Sequence, residues 1–419
     1  MDFAGEITDP IHRYIRFSHA EKDIIDSPPF QRLRRIRQLA GAHLVYPSAQ
    51  HSRFEHSLGA MHIAGLAGEN LLGKGYVDNA ETVQELRLAA LLHDVGHGPF
   101  SHLFEEVLET RCGMSHEEIG RRIIKETEIA DILEKSGYSA DHISRLSFGQ
   151  SKVGFLNEII SGSLSADIMD YLPRDSYFTG AEYGKVDYNR LTSSFAVARG
   201  RLVIDRSALN SLESMLISRY EMFKAVYFHK TVRSAEVMLL RSMIEVDYRL
   251  GLTDTGLHNY LSLTDEATLE RLMAVGGMAG KLAQDYCDRR LLKCVYEKFL
   301  HKRDRHKRTD RKALCALEQE IADAAGVDRT HVFADASRAS SMPLSPTKQE
   351  MYSVLVADKK DIYDVPVSEM PLVDSISGFF DMMRIYTTAE SRHKVERSVK
   401  KVLGVETMDM GAGRLHGRQ

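Results

Sequence analysis

The stretch Val83–His93 is the feature that most constrains the fold of this chain. Its apolar residues recur at three- and four-residue intervals and become continuous toward the end. That pattern is typical of a helix that runs into a hydrophobic core. Gly96, Gly98 and Pro99 follow shortly afterwards and predict the end of the helix. The adjacent pair His93-Asp94 is therefore expected at the buried end of a helix, where ionisable groups need partners from other elements.

The length of the chain and its other patterns predict a mainly α protein with more than one packed unit. Its 419 residues exceed what one compact core usually holds, and 43% hydrophobic residues exclude wholesale disorder. Most segments have a helical period, and a long helical run is predicted for Ser207–Leu250. Phe195–Asp205 instead alternates about a glycine, which predicts a short β-hairpin inside the helical core.

The composition changes near residue 301. His301–Arg308 is a basic run without apolar residues, which is typical of an exposed helix end or a linker. Beyond it, Thr330–Phe333 and Tyr352–Val356 are β-type patches among helix-like stretches. We therefore predict three regions: a mainly α domain with the hairpin over residues 1–305, a small α+β C-terminal lobe over 306–405, and a flexible tail over 406–419.

Charge and cysteine content restrict the location and partners. With 55 basic and 59 acidic residues the net charge is -4, so nucleic-acid contact would need a local patch such as Lys302–Lys312. No apolar stretch approaches the roughly 18 residues of a membrane span, and the N-terminus lacks the pattern of a signal peptide. We expect a cytoplasmic protein without a membrane partner. The cysteines show no C-x-x-C pair and are interpreted as reduced packing residues: Cys112, Cys287, Cys294 and Cys315.

The pair His93-Asp94 suggests metal chemistry, because an imidazole and a carboxylate diverging from neighbouring positions suit a divalent metal. Further ligands must come from other helices. His56 opens a helix with an apolar stripe, and Asp167 and Asp170 share one helical face. Two histidines and two aspartates would hold one metal and leave open positions for water and substrate. Taken singly, each of these residues is equally a helix cap or a hydrogen-bonding group.

The joint pattern of His56, His93-Asp94 and Asp167 resembles the HD-domain phosphohydrolase superfamily. Further segments resemble its dNTP triphosphohydrolase branch. That branch includes bacterial dGTPase-like proteins and the animal SAM- and HD-domain triphosphohydrolase, whose SAM domain is absent from this sequence. The matching segments are Asp9–His12, Phe30–Leu39, Arg53–Gly59, His93–His102 and Asp170–Asp175.

The resemblance implies a metal site and a catalytic group. It implies one divalent transition metal ion, Fe, Mn, Zn or Ni, with Mg possible on the substrate phosphates. The implied metal ligands are His56, His93, Asp94 and Asp167. It also implies that His102 is the general acid, that Glu105 orients it, and that His97 and His116 hold phosphate. Histidines suit these roles because an imidazole near neutral pH can protonate a leaving oxygen.

The same resemblance implies the substrate contacts. Gln38 and Asp175 would bind a 3′-hydroxyl, whereas Leu39 and Tyr227 would fill the space that a 2′-hydroxyl needs. From the residues alone, Leu39 and Tyr227 are equally core residues. The other implied contacts are Arg53 and Arg219 to phosphate and Tyr171 to the sugar.

The sequence departs from the family at two positions. Ile168 lies where relatives often carry a lysine or arginine for phosphate, and Phe223 lies where the animal enzyme has a histidine. Asp26, Gln31 and Arg34 match an activator site that reads a guanine nucleotide between subunits, which implies a homo-oligomer, a dimer or a tetramer. On a helix this rich in arginine they are equally a solvated face.

These observations predict a metal-dependent hydrolase that releases tripolyphosphate from a deoxynucleoside triphosphate and leaves the deoxynucleoside. One alternative is an HD hydrolase of another nucleotide phosphoester, such as a mono- or diphosphate or a signalling nucleotide, which the departure at Ile168 keeps open. Another is a nucleotide- or nucleic-acid-binding regulator on the same fold, with Lys302–Lys312 as its contact.

Overall fold

The computed structural model describes residues 2–254, 256–299, 311–340, 353–358, 361–366 and 379–404. The chain divides into two compact units. The larger comprises Met1–Arg290 with Ser340–Phe379, and the smaller comprises Leu291–Ala339 with Phe380–Gln419. The basic run 301–308 and the predicted tail over 406–419 lie outside the described residues. The division at residues 305 and 405 stays a prediction.

The larger unit is built mainly from helices, as predicted. They are α1 (His19–Ile25), α2 (Pro28–Gln31), α3 (Arg53–Gly73), α4 (Ala80–Leu92), α5 (His102–Cys112), α6 (His116–Glu126), α7 (Glu128–Lys135), α8 (Ala140–Ser147), α9 (Gly154–Ser161), α10 (Ala166–Thr179), α11 (Tyr188–Ser194), α12 (Leu209–Met222), α13 (Lys230–Leu250), α14 (Leu257–Ser262), α15 (Asp265–Val275) and α16 (Gly277–Cys287).

Its strands form two small sheets. One is an antiparallel pair, β1 (Gly5–Asp9) with β2 (Arg13–Phe17). The other consists of four strands, β3 (Phe195–Ala198), β4 (Arg201–Asp205), β7 (Ser353–Asp358) and β8 (Asp361–Pro366). Their order in the sheet is β3-β4-β7-β8, and β4 pairs with β7 in parallel. The predicted hairpin is therefore confirmed.

Helices α3 and α4 pack against each other at the centre of the larger unit, and α10 packs on α3. A capping box of Ser52 and Glu55 begins α3, and Asn79 caps α4. Helices α3 and α4 approach closely at Gly68. A Cβ on this residue would lie only 2.9 Å from a methyl carbon of Val83. The last turn of α4 is buried, as the sequence predicts, and ends at Leu92. The pair His93-Asp94 thus leaves the helix inside the protein.

The predicted continuous helix from Ser207 to Leu250 is interrupted. Helix α12 ends at Met222 and continues as a π-helical turn, Phe223–Tyr227. A new helix, α13, then begins at Lys230, where the His229 side chain accepts a hydrogen bond from the backbone N–H of Thr231. This local cap competes with continuation of the helix, and helical periodicity on both sides hides it in the sequence.

The smaller unit has both helices and strands. Its sheet has the order β5-β9-β6, formed by β5 (Lys293–Phe299), β6 (Val332–Ser340) and β9 (Phe379–Thr387). Its helices are α17 (Arg311–Ala325) and α18 (Arg392–Leu403). Ile321, Ile385 and Val399 belong to its buried core. The predicted α+β character of the C-terminal region is confirmed.

The four cysteines are free thiols. Cys294 and Cys315 are partly buried, whereas Cys112 and Cys287 are exposed. The interpretation as packing residues is therefore wrong for these last two, because both lie at the solvent-facing ends of their helices. Across the described residues, no helix combines the length and the apolar character needed to cross a membrane.

The turn after α4 should tolerate no side chain at Gly96. A Cβ there would lie 2.0 Å from the carbonyl oxygen of His116 and 2.5 Å from the amide nitrogen of Gly120, and backbone atoms cannot move aside. We expect Gly96→Ala to lower the free energy of unfolding by about 1–3 kcal/mol in urea denaturation. Gly73→Ala is the control, because no atom lies within 4 Å of its Cβ position. Equal stability of the two variants would contradict this packing.

Candidate functional site

Three of the predicted metal ligands form a tight group. His56 lies in the first turn of α3, and His93 and Asp94 follow α4. The Nε2 atoms of His56 and His93 are 3.3 Å apart. A carboxylate oxygen of Asp94 is 3.4 Å from His93 Nε2, and the other is 3.6 Å from His56 Nε2. One donor atom from each residue lies within 4.8 Å of the others, so the group could hold one metal ion.

Asp167 joins this group from the first turn of α10. Its Oδ1 atom is 3.1 Å from His56 Nε2 and 3.8 Å from His93 Nε2. Its side chain is 37% exposed, whereas that of His56 is fully buried. The structure therefore brings all four predicted ligands together and leaves the group open on the side of Asp167. Their role as ligands stays a prediction.

The electrostatics of the group favour a cation. Burial lowers the pKa of His56, but hydrogen bonds to Asp167 and Asp170 outweigh burial and raise it to about 10. Burial raises the pKa of Asp94, but Arg53 and the neighbouring histidines hold it well below its usual range. Buried carboxylates beside imidazole nitrogens therefore demand positive charge at this point. This nitrogen and oxygen donor set fits a divalent transition metal ion.

The tautomer of His93 is set by its backbone contact. Its Nδ1 atom donates a hydrogen bond to the carbonyl oxygen of Ala90, at 2.7 Å. The lone pair of the neutral ring is then on Nε2, the atom that faces His56 and Asp94. This is the arrangement that metal-binding histidines adopt.

The histidines predicted for catalysis form a second cluster that adjoins the first. His97 Nε2 is 3.2 Å from Asp94 Oδ1, and its ring stacks on that of His116 with centroids 3.9 Å apart. Glu105 accepts hydrogen bonds from the Nδ1 atoms of His116 and His102, the latter at 3.2 Å. Burial raises the pKa of Glu105, but the hydrogen bonds to both histidines outweigh burial and lower it, so its charge orients both rings.

His97 and His102, two members of this histidine cluster, differ in how far their side chains are exposed to solvent. His102 is 73% exposed in its side chain and lies in the first turn of α5. His97 is buried, and burial together with Arg53 and His116 holds its pKa well below the usual range. His97 is therefore a neutral imidazole at neutral pH, whereas His102 is free to meet a substrate from solvent.

Arg53 connects the metal group to the following loop. It donates hydrogen bonds to Asp94 and to the hydroxyl of Ser101, at 2.7 Å for the latter. Among the described residues, its buried Nη2 atom has no hydrogen-bond partner. Ser101, with a φ of 57°, in turn donates to the carbonyl oxygen of Arg37. Two of the three guanidinium nitrogens of Arg53 are thus engaged, and Nη2 can donate to an anion.

The residues predicted to contact the sugar surround Tyr171. Its ring lies 6.5 Å from that of His56 and 6.3 Å from that of Tyr227, and the Arg219 guanidinium lies 5.8 Å above it. The Tyr227 hydroxyl donates to Asp175 Oδ2 at 2.7 Å. Burial, and then Asp175, raise the pKa of Tyr227 well above its usual range, so it stays a donor.

Gln38 and Leu39 come from the segment before α3. The backbone N–H of Gln38 donates to the carbonyl oxygen of His51, whose ring nitrogen Nε2 is 2.7 Å from Asp175 Oδ1. The buried side-chain oxygen of Gln38 has no hydrogen-bond partner within the described parts of the chain. Leu39 packs against the main hydrophobic core. The structure therefore links the backbone of Gln38 to Asp175 through His51, whereas Leu39 packs on the core, and their role as sugar contacts stays a prediction.

The two departures from the family have different surroundings. Ile168 is buried within the large hydrophobic cluster of the unit, so this position belongs to the core. Phe223 lies beside the candidate pocket, with its ring 5.0 Å from that of Tyr227 and 4.8 Å from the Arg219 guanidinium. An aromatic ring thus lies beside Arg219, at the position where the resemblance implies a histidine.

Of the three residues matched to an activator site, two contact each other and the third has a different partner. Gln31 donates to the carbonyl oxygen of Ile25 at 2.7 Å and accepts from Arg34 at 2.9 Å. The Arg34 guanidinium stacks 3.5 Å above the Phe54 ring. Asp26 is exposed and pairs with Lys22, at 3.7 Å. Their role in binding a nucleotide stays a prediction.

Several residues of the site carry no role in the sequence prediction. His51 holds Asp175. His12, Asp170 and Arg174 form a buried network behind His56. All but His51 lie inside segments that carry the family resemblance, which is the signal that could have singled them out.

A helical fold that brings two histidines and two aspartates together from three helices is typical of proteins that bind a metal ion between their helices. Comparison with known proteins narrows the class. Residues 53–172 match the HD domain, and residues 186–411 match the HD associated region. The chain belongs to the HD-domain phosphohydrolase superfamily.

Individual relatives agree with this assignment. The chain is 38% identical over 278 residues to an uncharacterised protein of Methanocaldococcus jannaschii, covering 64% of this chain and 57% of that protein. It is 32% identical over 262 residues to the deoxynucleoside triphosphate triphosphohydrolase SAMHD1 homolog of Dictyostelium discoideum, covering 59% of this chain and 50% of that protein. The chain thus spans little more than half the length of these relatives.

A solved structure matches the whole fold. It is a hypothetical protein from Aquifex aeolicus, which is 32% identical and superimposes with a TM-score of 0.75. The match covers 94% of this chain and 99% of that structure.

Removal of a ligand should remove the metal. We expect His93→Ala and Asp167→Ala to purify with little bound transition metal, because the four converging side chains leave no spare donor. Metal analysis of the purified proteins measures this. His142→Ala is the control, since His142 is about two-fifths exposed on α8 and pairs with Glu85. Undiminished metal in either ligand variant would show that the ligand set is wrong.

Proposed function

We propose that this chain is a metal-dependent phosphohydrolase that converts deoxynucleoside triphosphates into deoxynucleosides and tripolyphosphate. The proposal rests on one observation above all. The metal-ligand group and the histidine cluster share Asp94, whose Oδ1 atom is 3.4 Å from His93 Nε2 and 3.2 Å from His97 Nε2. Donors for a metal and for a phosphate therefore lie side by side.

The side chains around the group account for binding and proton transfer. When bound, a divalent metal supplies a Lewis acid and an activated water. Arg53 and Arg219 carry the fixed positive charge for the phosphate chain. The stacked rings of His97 and His116 contact the phosphate. His102, oriented through Nδ1 by Glu105, gives a proton from Nε2 to the leaving oxygen.

The choice of deoxynucleotides has separate support. The relative from Dictyostelium discoideum is named a deoxynucleoside triphosphate triphosphohydrolase. In this chain, the hydrogen bond from Tyr227 to Asp175 fixes the phenol ring, which lies beside the ring of Tyr171. We propose that this fixed ring and Leu39 exclude a 2′-hydroxyl, while Asp175 accepts a hydrogen bond from the 3′-hydroxyl and the side-chain amide of Gln38 donates one to its oxygen.

One observation favours a second candidate, a hydrolase of a nucleotide with fewer phosphates. Ile168 is buried in the apolar core, so the position where relatives often carry a phosphate-binding cation supplies none. A lost charge-assisted contact is worth roughly 1.5–3 kcal/mol. The activator role of Asp26, Gln31 and Arg34, the homo-oligomer and the cytoplasmic location stay predictions.

The substrate can be tested by assaying the purified, Mn²⁺-loaded protein. The panel consists of matched deoxy- and ribonucleoside mono-, di- and triphosphates, and chromatography identifies the phosphate chain that is released. We expect tripolyphosphate from dNTPs and much slower cleavage of the ribonucleotides. Leu39→Ala should narrow that difference, because it opens the space beside the 2′-carbon. Equal rates on dGTP and GTP would defeat the sugar selection, and preferred cleavage of monophosphates would favour the second candidate.

The role of His102 can be separated from metal binding. We expect His102→Ala to lower turnover by about 10²–10⁴-fold, the usual worth of a general acid, while metal content stays unchanged. His258→Ala, a change at an exposed histidine on α14, is the matched control. A loss of less than about tenfold, below that range, would assign the proton transfer to another group.

A further inference from the structure

We propose that Asp170 is a positioning residue that fixes the orientation and tautomer of His56, and that His12, Arg174, Asp9 and Gly59 exist in this fold to hold Asp170 in place. The inference deepens the proposed function, on which it rests only through the binding of a metal by His56. It concerns side chains behind the metal group and leaves the substrate aside.

The two ring nitrogens of His56 face different partners. Nε2 points toward His93 and Asp167, at 3.3 and 3.1 Å. Nδ1 is 2.8 Å from Asp170 Oδ2. Because Asp170 is a carboxylate, Nδ1 must be the donor in this contact, and the Nε2 lone pair of the neutral ring then faces the metal group. Both side chains are fully buried, so water cannot replace the contact.

The carboxylate of Asp170 is held at all of its acceptor positions. Arg174 donates to Oδ2 from Nε and to Oδ1 from Nη2, each at 2.9 Å. His12 Nε2 is 2.6 Å from Oδ1, and His56 takes the remaining position on Oδ2. A carboxylate offers about four such positions, so its rotation is arrested. The bidentate guanidinium also supplies the positive charge that burial of the carboxylate requires.

Asp9 closes the network at the end of strand β1. Its Oδ2 accepts from Arg174 Nη1 at 2.8 Å, while its Oδ1 accepts from the backbone N–H groups of Ile11 and His12, each at 2.9 Å. The same side chain therefore anchors Arg174 and shapes the turn that carries His12. The network therefore connects the β1-β2 pair, which is distant from His56 in sequence, to the side of His56 that faces away from the other candidate metal ligands.

Gly59 provides the room. It follows His56 by one helical turn on α3, and a Cβ there would lie 1.8 Å from Asp170 Oδ1 and 2.6 Å from Arg174 Nη2. Any other residue would displace the carboxylate from its place against the helix. Glycine in a helix interior is destabilising relative to alanine. Its presence here is explained by the approach of Asp170.

A second buried carboxylate, whose arginine partner packs against another glycine of α3, offers a matched control. Glu21 is a fully buried carboxylate that accepts from Arg87 Nε and Nη2 at 2.7 and 2.8 Å, and also from Gln84 at 2.6 Å. A Cβ on Gly65 of α3 would lie 2.5 Å from Arg87 Nη1. This second carboxylate, arginine and glycine set resembles the first in burial and bonding, but no hydrogen bond joins it to a histidine of the metal group among the described residues.

The experiment measures the dissociation constant for Mn²⁺ on the metal-free, full-length protein by isothermal titration calorimetry. We expect Asp170→Asn and Gly59→Ala to raise it by about 10–100-fold, as loss of a partner behind a ligating histidine typically does. Glu21→Gln and Gly65→Ala should stay within about threefold of the unaltered protein, below that range. We expect all four variants to lower the melting temperature, because each disturbs a buried carboxylate–arginine pair, so stability alone would not separate the two pairs.

Three outcomes would overturn the inference. The first is a folded Asp170→Asn or Gly59→Ala protein that binds Mn²⁺ as tightly as the unaltered chain. The second is equal weakening in the control pair. The third is failure of both site variants to fold while both controls fold, which would make the network a requirement of the fold alone. Failure of the unaltered protein to bind Mn²⁺ would instead refute the proposed metal site.

Discussion

The structure depends on the concentration of buried carboxylates around one histidine. Asp94, Asp167 and Asp170 all approach His56, which is fully buried. Negative charges in such a place are costly unless each meets a positive group or a hydrogen-bond donor. Arg53 meets Asp94 and Arg174 meets Asp170. Asp167 pairs directly with the imidazoles of His56 and His93, and this concentration of carboxylate and imidazole donors makes the point suitable for a metal ion.

The arrangement divides the surroundings of His56 into three sides. The histidine cluster with Glu105 adjoins it through Asp94, and the aromatic pocket around Tyr171 adjoins it through Asp167, its neighbour in α10. Behind it lies the network centred on Asp170. A phosphate chain on one side and a sugar on the other would therefore meet at the metal. The network around Asp170 would hold the ring of His56 in one orientation while the charges of the reacting groups change.

Periodicity carried most of the fold prediction. Helix α4, the start of α3 and the β3-β4 hairpin follow from short stretches of sequence, because their signals are local. The break before α13 escaped prediction, since a histidine cap leaves the apolar period intact on both sides. The burial of Ile168 escaped it as well, because one position along α10 turns a side chain from the pocket into the core.

The sequence by itself determined the kind of fold and most of its helices, because their signals lie in residue type and spacing within short segments, and its resemblance to the family implied the four candidate metal ligands. The tertiary structure decided which groups act together. The contacts of His12 and Asp170, of His51 and Asp175, and of Gly59 and the Asp170 carboxylate join residues from distant segments. Hydrogen bonds a few ångströms long depend on how whole helices pack, and no spacing along the chain encodes that distance.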